Sequence, residues 1–194
     1  VDFIWNAKFY FKILSYVFFV NVVLVLGVKH YFKDNKQIKT LLTIITLNTY
    51  SYVAHCVMGM REVTYIGHLT VRRLAAVGVI VIIALILAYL VRYIWKPQKG
   101  FIRYAIAVVT IGYLLFAGCR PDYWIAKYNV TPRDTGRDVD IYYLVNDLSL
   151  DAKPVVYEYL TNEYTGEDKE ELLETYRDRI EREGDEYFEN KNKS

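Results

Sequence analysis

Leu74–Val91 reads LAAVGVIVIIALILAYLV, eighteen residues without a charge, bounded by Arg73 and Arg92. A helix needs about 17–25 predominantly apolar residues to cross a bilayer, so this run is long enough to span. It has no polar face, which a surface helix of a water-soluble domain would require. Three more uncharged runs flank it: Ile13–Val28 (16 residues), Thr40–Met60 (21) and Tyr104–Cys119 (16). The two short runs reach spanning length if Lys12 and Arg103 lift their charges to the interface. In hydrocarbon every backbone N–H and C=O must be satisfied internally, so these runs read as helices rather than strands.

Charge divides the chain in two. Residues 1–119 hold 13 Lys and Arg against 3 Asp and Glu, a net +10; residues 120–194 hold 11 against 19, a net −8. The near-neutral total of +2 therefore conceals a basic-flanked apolar part and an acidic, water-compatible part. The fold expected is an all-α membrane protein: about four transmembrane helices (9–28, 40–60, 74–95 and 102–119), then a small helical, acidic extramembrane tail. A disulfide scaffold is excluded, since the chain has only two cysteines, Cys56 and Cys119, in or at the edge of apolar runs where they read as buried thiols; neither has a CxxC partner for a metal. His30, His55 and His68 make no ligand spacing, so neither a metal nor another cofactor is expected. Nineteen tyrosines suit membrane interfaces, where a ring sits in hydrocarbon and its hydroxyl in water.

The links between runs are short, which predicts antiparallel neighbours. Residues 29–39 and 92–103 fall on one side of the membrane and 61–73 on the other. The first side carries eight basic residues (Lys29, Lys33, Lys36, Lys39, Arg92, Lys96, Lys99, Arg103) and the second five (Lys8, Lys12, Arg61, Arg72, Arg73). That asymmetry places the first side in the cytoplasm of a multi-pass plasma-membrane protein and the acidic tail outside. Adding Arg120, Lys127, Arg133 and Arg137 from the tail makes it eight against nine. The chain opens on Val1, which suits the C-terminal piece of a longer protein.

Residues 120–136 read as an interfacial segment and loop, with Tyr123, Trp124 and Tyr128 as anchors. Residues 137–183 read as the helical tail. Ile141, Leu144 and Leu148 share one face; Ser149 or Asp151 caps a helix with Pro154 in its first turn; Leu172, Leu173, Tyr176 and Ile180 form a thin stripe on the last. These stripes look too narrow to form a core alone and are expected to pack on the membrane part or a partner. Gly184 ends the last helix, leaving 184–194 disordered.

Three constellations could carry function. Asn48, Ser51, Tyr52 and His55 recur at helical spacing in the second span, as a polar stripe for a pore or proton path or as helix–helix hydrogen bonding. Arg61, Arg72 and Arg73 cluster with Glu62, Tyr65 and His68 in the turn between spans two and three. They suit an anion or lipid headgroup, or are ordinary flanking charge. Asp138, Asp140, Asp147 and Asp151 fit no calcium loop and suit helix caps. No GxSxG, HExxH, P-loop or GxGxxG is present, so an enzyme is not expected. The acidic tail argues against nucleic acid and leaves membrane lipids, a protein partner or further upstream spans as partners.

Three segments carry a resemblance to bacterial multi-span proteins catalogued as domain of unknown function 4173, a family related to the larger group numbered 4153. The first is Tyr65 with Leu69-Thr70-Val71-Arg72-Arg73. The second is Pro121-Asp122 with Ile125-Ala126-Lys127-Tyr128-Asn129. The third is Asp138-Val139-Asp140-Ile141-Tyr142-Tyr143-Leu144 followed by Leu148-Ser149-Leu150-Asp151-Ala152-Lys153-Pro154. His68 stands where the pattern usually has Gly, with Gly67 one residue earlier. The resemblance implies a multi-span fold with spans upstream, makes Asp138, Asp140, Tyr143, Leu144, Ser149, Asp151 and Pro154 a candidate tail motif, and implies no activity.

Overall fold

The computed structural model describes residues 2–32, 35–96, 100–131 and 139–192. All regular structure among them is helical: α1 (Asp2–Tyr31), α2 (Lys36–Ile66), α3 (Val71–Trp95), α4 (Phe101–Gly118), α5 (Pro121–Val130), α6 (Ile141–Asn146), α7 (Lys153–Asn162, entered through the 3-10 turn Leu150–Ala152) and α8 (Lys169–Asn192). The chain forms two compact units, Val1–Gly67 with Arg72–Cys119, and His68–Val71 with Arg120–Ser194.

α1–α4 are each long and apolar enough to cross a membrane. At about 1.5 Å per residue, the 25 residues of α3 reach about 37 Å, against a hydrocarbon core about 30 Å thick. Ile106, Val109, Tyr113 and Leu114 of α4 stand exposed on one long apolar surface, which water would not tolerate and lipid solvates. The protein is therefore membrane-embedded. α1 and α2 extend beyond the uncharged runs because the end of a run marks the edge of hydrocarbon, not the end of a helix. Asn35 caps α2, its side chain accepting from the Gln37 amide at 3.1 Å. The α2 helix then continues past Arg61 and Glu62 until Gly67.

The first unit packs around Leu14, Val25, Leu42, Val53, Leu87, Leu90 and Ile94. One buried polar knot ties α1 to α2. The Asn21 amide, 2 % exposed, donates to Thr49 Oγ1 at 3.0 Å, while Thr46 Oγ1 lies 3.4 Å from Asn21 Oδ1 and donates to the Leu42 carbonyl at 2.8 Å. Tyr50 donates to the Ala84 carbonyl (2.6 Å) and Trp95 to Thr43 Oγ1 (3.0 Å), joining α2 to α3. Tyr89 stacks on Tyr104 at 4.1 Å, and Gly112 lets α4 approach Ile82 closely. Replacing Asn21 with leucine is expected to weaken the α1–α2 pair by about 0.6–1.7 kcal/mol, the range of interhelical hydrogen bonds in membranes. Steric trapping in bicelles would measure it, and Asn21→Leu/Thr49→Val should cost little more than either change alone.

The second unit has its own core, which corrects the expectation that its stripes need an outside surface. Ile125 and Ala126 of α5, Ile141, Leu144 and Val145 of α6, Leu148, Val156 and Leu160 of the α7 region, and Leu172 and Tyr176 of α8 are all buried. Each stripe is thin, but four of them meet. α5 supplies one: the amphipathic stretch of the segment read as interfacial, residues 120–136, is a helix that also contributes Ile125 and Ala126 to this core. Its Trp124 stays exposed, with Lys127 Nζ 5.6 Å from its ring centre. Burial pushes the Tyr176 phenol up to about 12. Ser149 holds the cap position of the 3-10 turn that leads into α7, without a side-chain cap hydrogen bond, and neither it nor Asp151 is the cap of α7 itself. Ala152 occupies that position, and Pro154 lies in the first turn. α8 runs through Gly184 to Asn192, beyond the expected stop. One glycine costs a helix only about 1 kcal/mol, and strong helix formers surround it.

Candidate functional site

The turn between α2 and α3 belongs to the tail unit. Leu69 and Thr70 lie between α2 and α3, and Val71 opens α3 with an amide that has no partner within the helix, so these backbone groups need other partners. Asn129 of α5, 3 % exposed, supplies both for Leu69: its Oδ1 accepts from the Leu69 N–H and its Nδ2 donates to the Leu69 carbonyl, each at 2.8 Å. The Val71 amide points at the Tyr143 hydroxyl of α6 at 3.4 Å. The Ser149 amide donates to Asp122 Oδ2 at 3.1 Å, joining the α7 entry to α5. Residues 60 and 72 positions apart in sequence thus meet. Residues from each of the three segments that carry the resemblance take part in this joint: Leu69 and Val71, Asp122 and Asn129, and Tyr143 and Ser149. Since Leu69 and Asn129 touch, the chain between them crosses the membrane an even number of times, as α3 and α4 do.

Asp140 caps α6, its carboxylate accepting from the Tyr143 amide at 3.0 Å. Leu144 is buried in the tail core, Pro154 is exposed, and Asp151 lies 3.9 Å from Arg120 in an exposed pair that contributes little stability. Asp138 falls outside the described residues. Arg120 adopts a left-handed backbone (φ 48°) where α4 hands over to α5, with Pro121 beginning the new helix.

The arginines separate into two roles. Arg73 turns back over the turn, Nη1 donating to the Val63 carbonyl at 3.3 Å. A positive group there complements the negative end of α2. A Cβ on Gly67 would lie 2.7 Å from that Nη1, so glycine makes the approach possible. Arg61 and Arg72 are exposed. Arg72 sits in the first turn of α3, which has no acidic residue. There the helix dipole opposes a cation, and a bound anion would relieve both.

Asn48, Ser51 and His55 lie on the exposed face of α2, with Tyr52 half-buried beside them. Ser51 donates to its own helix at the Asn48 carbonyl (2.7 Å). His55 Nδ1 is 2.6 Å from the Ser51 carbonyl. A carbonyl only accepts, so Nδ1 is the donor of this contact. The buried polar face of α2 is instead Thr46 and Thr49, facing Asn21, which the sequence reading did not single out. The Thr43, Thr46, Thr49 spacing was the available signal, together with Asn21 as the lone amide of its run.

A second polar feature of the tail lies at the α8 entry. Tyr164 donates to Asp168 Oδ1 at 2.5 Å and Tyr142 to Oδ2 at 3.3 Å. The Tyr164 hydroxyl holds the Asp168 carboxyl below the usual range, and the same bond pushes the Tyr164 phenol up to about 12. A depressed carboxyl contributes stability above its unfolded pKa, near 4, and loses it as pH falls through the lower folded value. A raised phenol contributes below about 10 and loses its contribution as pH rises through about 12. The tie should be fully formed from about pH 5 to 9. Tyr164→Phe is expected to bring Asp168 back up toward the ordinary carboxylate range in a carbon-13 NMR titration, with a smaller rise for Tyr142→Phe; an unmoved Asp168 would show that the tie does not set its ionisation.

No curated protein and no solved structure matches the chain significantly. Residues 9–159 match the family described as Domain of unknown function (DUF4153), the larger group to which the resembled family is related. The match takes in all four membrane helices and the joint of the turn with α5, α6 and the α7 entry. The match spans well over half of the 194 residues, and the chain therefore belongs to the DUF4153 family.

Proposed function

We propose that this chain is a non-enzymatic component of the plasma membrane whose extracytoplasmic tail docks or senses a protein partner. The supporting observation is the Asn129–Leu69 joint. The tail folds around the very residues that link α2 to α3. Binding that loosens or tightens the tail therefore acts on the ends of two spanning helices. Tagged full chain recovered from native membranes should bring down a defined partner, and a chain lacking 120–194 should insert yet lose it. Persistence of every co-purifying protein after that deletion overturns the reading. Sidedness is read separately, by labelling single cysteines at Thr165 and Asn35 in intact cells; tail labelling without turn labelling is the expected pattern.

A second reading, lipid or anion handling, rests on exposed Arg72 at the unfavourable end of the α3 dipole, with Arg61 nearby in sequence. Each basic residue contributes about 1 kcal/mol at an anionic surface, so Arg72→Ala should weaken binding to phosphatidylglycerol about fivefold. Unchanged lipid affinity removes it.

A further inference from the structure

We propose that the outer face of α2 is a two-fold interface with α2 of a second copy of this chain, registered by Asn48. The uncharged run Thr40–Met60 is centred on Tyr50, so Asn48 and Ser51 lie within about 3 Å of the middle of the span. Both are exposed, as is His55 one turn further on. Three polar side chains facing hydrocarbon at mid-depth are costly, and such groups ordinarily face a bundle interior. α1 and α3 pack mainly on the sides marked by Leu42, Thr46, Thr49 and Val53; α1 reaches the outer face only at His55, whose ring centre lies 5.9 Å from that of Tyr10, and Asn48 and Ser51 stay exposed.

The exposed positions follow a pattern of alternating four- and three-residue steps: Leu41, Ile44, Asn48, Ser51, His55 and Met58. That is the 3.5-residue seam of a left-handed helix pair. Asn48 takes the seam position at which a single buried asparagine sets register in parallel two-stranded pairs. A second copy fits this face for three reasons. Two copies of one membrane protein share orientation and depth, so Asn48 meets Asn48 without any adjustment. A carboxamide carries both donors and an acceptor and is its own complement. At the end of the seam, Glu62 continues the pattern and Arg61 flanks it. In a two-fold pair each Arg61 then approaches the partner's Glu62, giving opposite charges the same symmetry.

The test is disulfide trapping of the full chain in native membranes. Cys119→Ser removes the exposed native thiol, and Cys56 is buried. Ser51→Cys lies on the seam; Leu85→Cys, exposed on α3, is the control. Ser51→Cys should give a disulfide dimer of twice the chain mass and Leu85→Cys should not. Adding Asn48→Leu, which keeps an apolar helix inserted, should lower the dimer yield about three- to eighteenfold, from the average to the largest measured interhelical hydrogen bond. A monomeric Ser51→Cys chain overturns the proposal. Equal trapping at Leu85, which would reflect collision, does so too. So does trapping at Ser51 to a polypeptide of different mass, which would make the occupant a foreign helix.

Discussion

Replacing Asn129 with leucine is expected to destabilise the tail unit by about 2–4 kcal/mol. The side chain is nearly fully buried and makes two 2.8 Å hydrogen bonds to a single residue. Leucine has similar size, so the loss is polar rather than a cavity. It strands the N–H and the C=O of Leu69, and an unmet buried group costs about 1–3 kcal/mol. Asn129→Asp keeps the acceptor for the Leu69 N–H and loses the donor to its carbonyl, so it should fall between. Amide hydrogen exchange of the full chain in nanodiscs reads the effect directly. Protection at Leu69 and across α5 should drop together in the leucine variant, while the core of α3 keeps its protection. If Leu69 stays protected, the joint is not held by Asn129.

Replacing Arg179 with methionine should release α8 from the tail. The Arg179 guanidinium donates to the Val145 carbonyl and, through Nη2, to the Leu148 carbonyl at 2.9 Å, while Nε pairs with Glu183 at 2.6 Å. Both carbonyls lie at or just beyond the end of α6, where acceptors are left over by the helix and a cation is favoured. Hydrogen bonds to a charged group contribute about 1.5–3 kcal/mol each, and sharing one side chain makes the sum less than additive, so a loss of about 2–4 kcal/mol is expected. Lysine cannot replace the fork, because one ammonium does not reach three acceptors in a plane. Limited proteolysis should cut between residues 163 and 168 in both variants before the wild type. Equal cleavage rates would mean that Leu172 and Tyr176 hold α8 without the clamp.

The two tail features differ in how visible they are in sequence. Asp140 is legible as a cap because its partner, the Tyr143 amide, is three residues away. Arg179 is not, since its acceptors lie 34 and 31 residues upstream and a charged helix offers many equivalent arginines. The membrane part shows the same division. Asn48, Ser51 and His55 are conspicuous because they share a helical face, but the face turns outward. Helical periodicity shows which residues share a face and never which neighbour covers it. The α1–α2 contact of Asn21 with Thr49, 28 residues apart, put the threonine face inside instead.

The sequence by itself determined the four spans, the acidic tail and the side changes between them. Hydrocarbon imposes that answer locally, since an uncharged run of sufficient length has only the helix open to it. Only the tertiary structure decided that Leu69 to Val71 belong to the tail, that Arg73 closes α2, and that four narrow stripes suffice for a second core. Those outcomes rest on pairings between distant residues, where the geometry of two backbones selects one amide or guanidinium among many chemically alike.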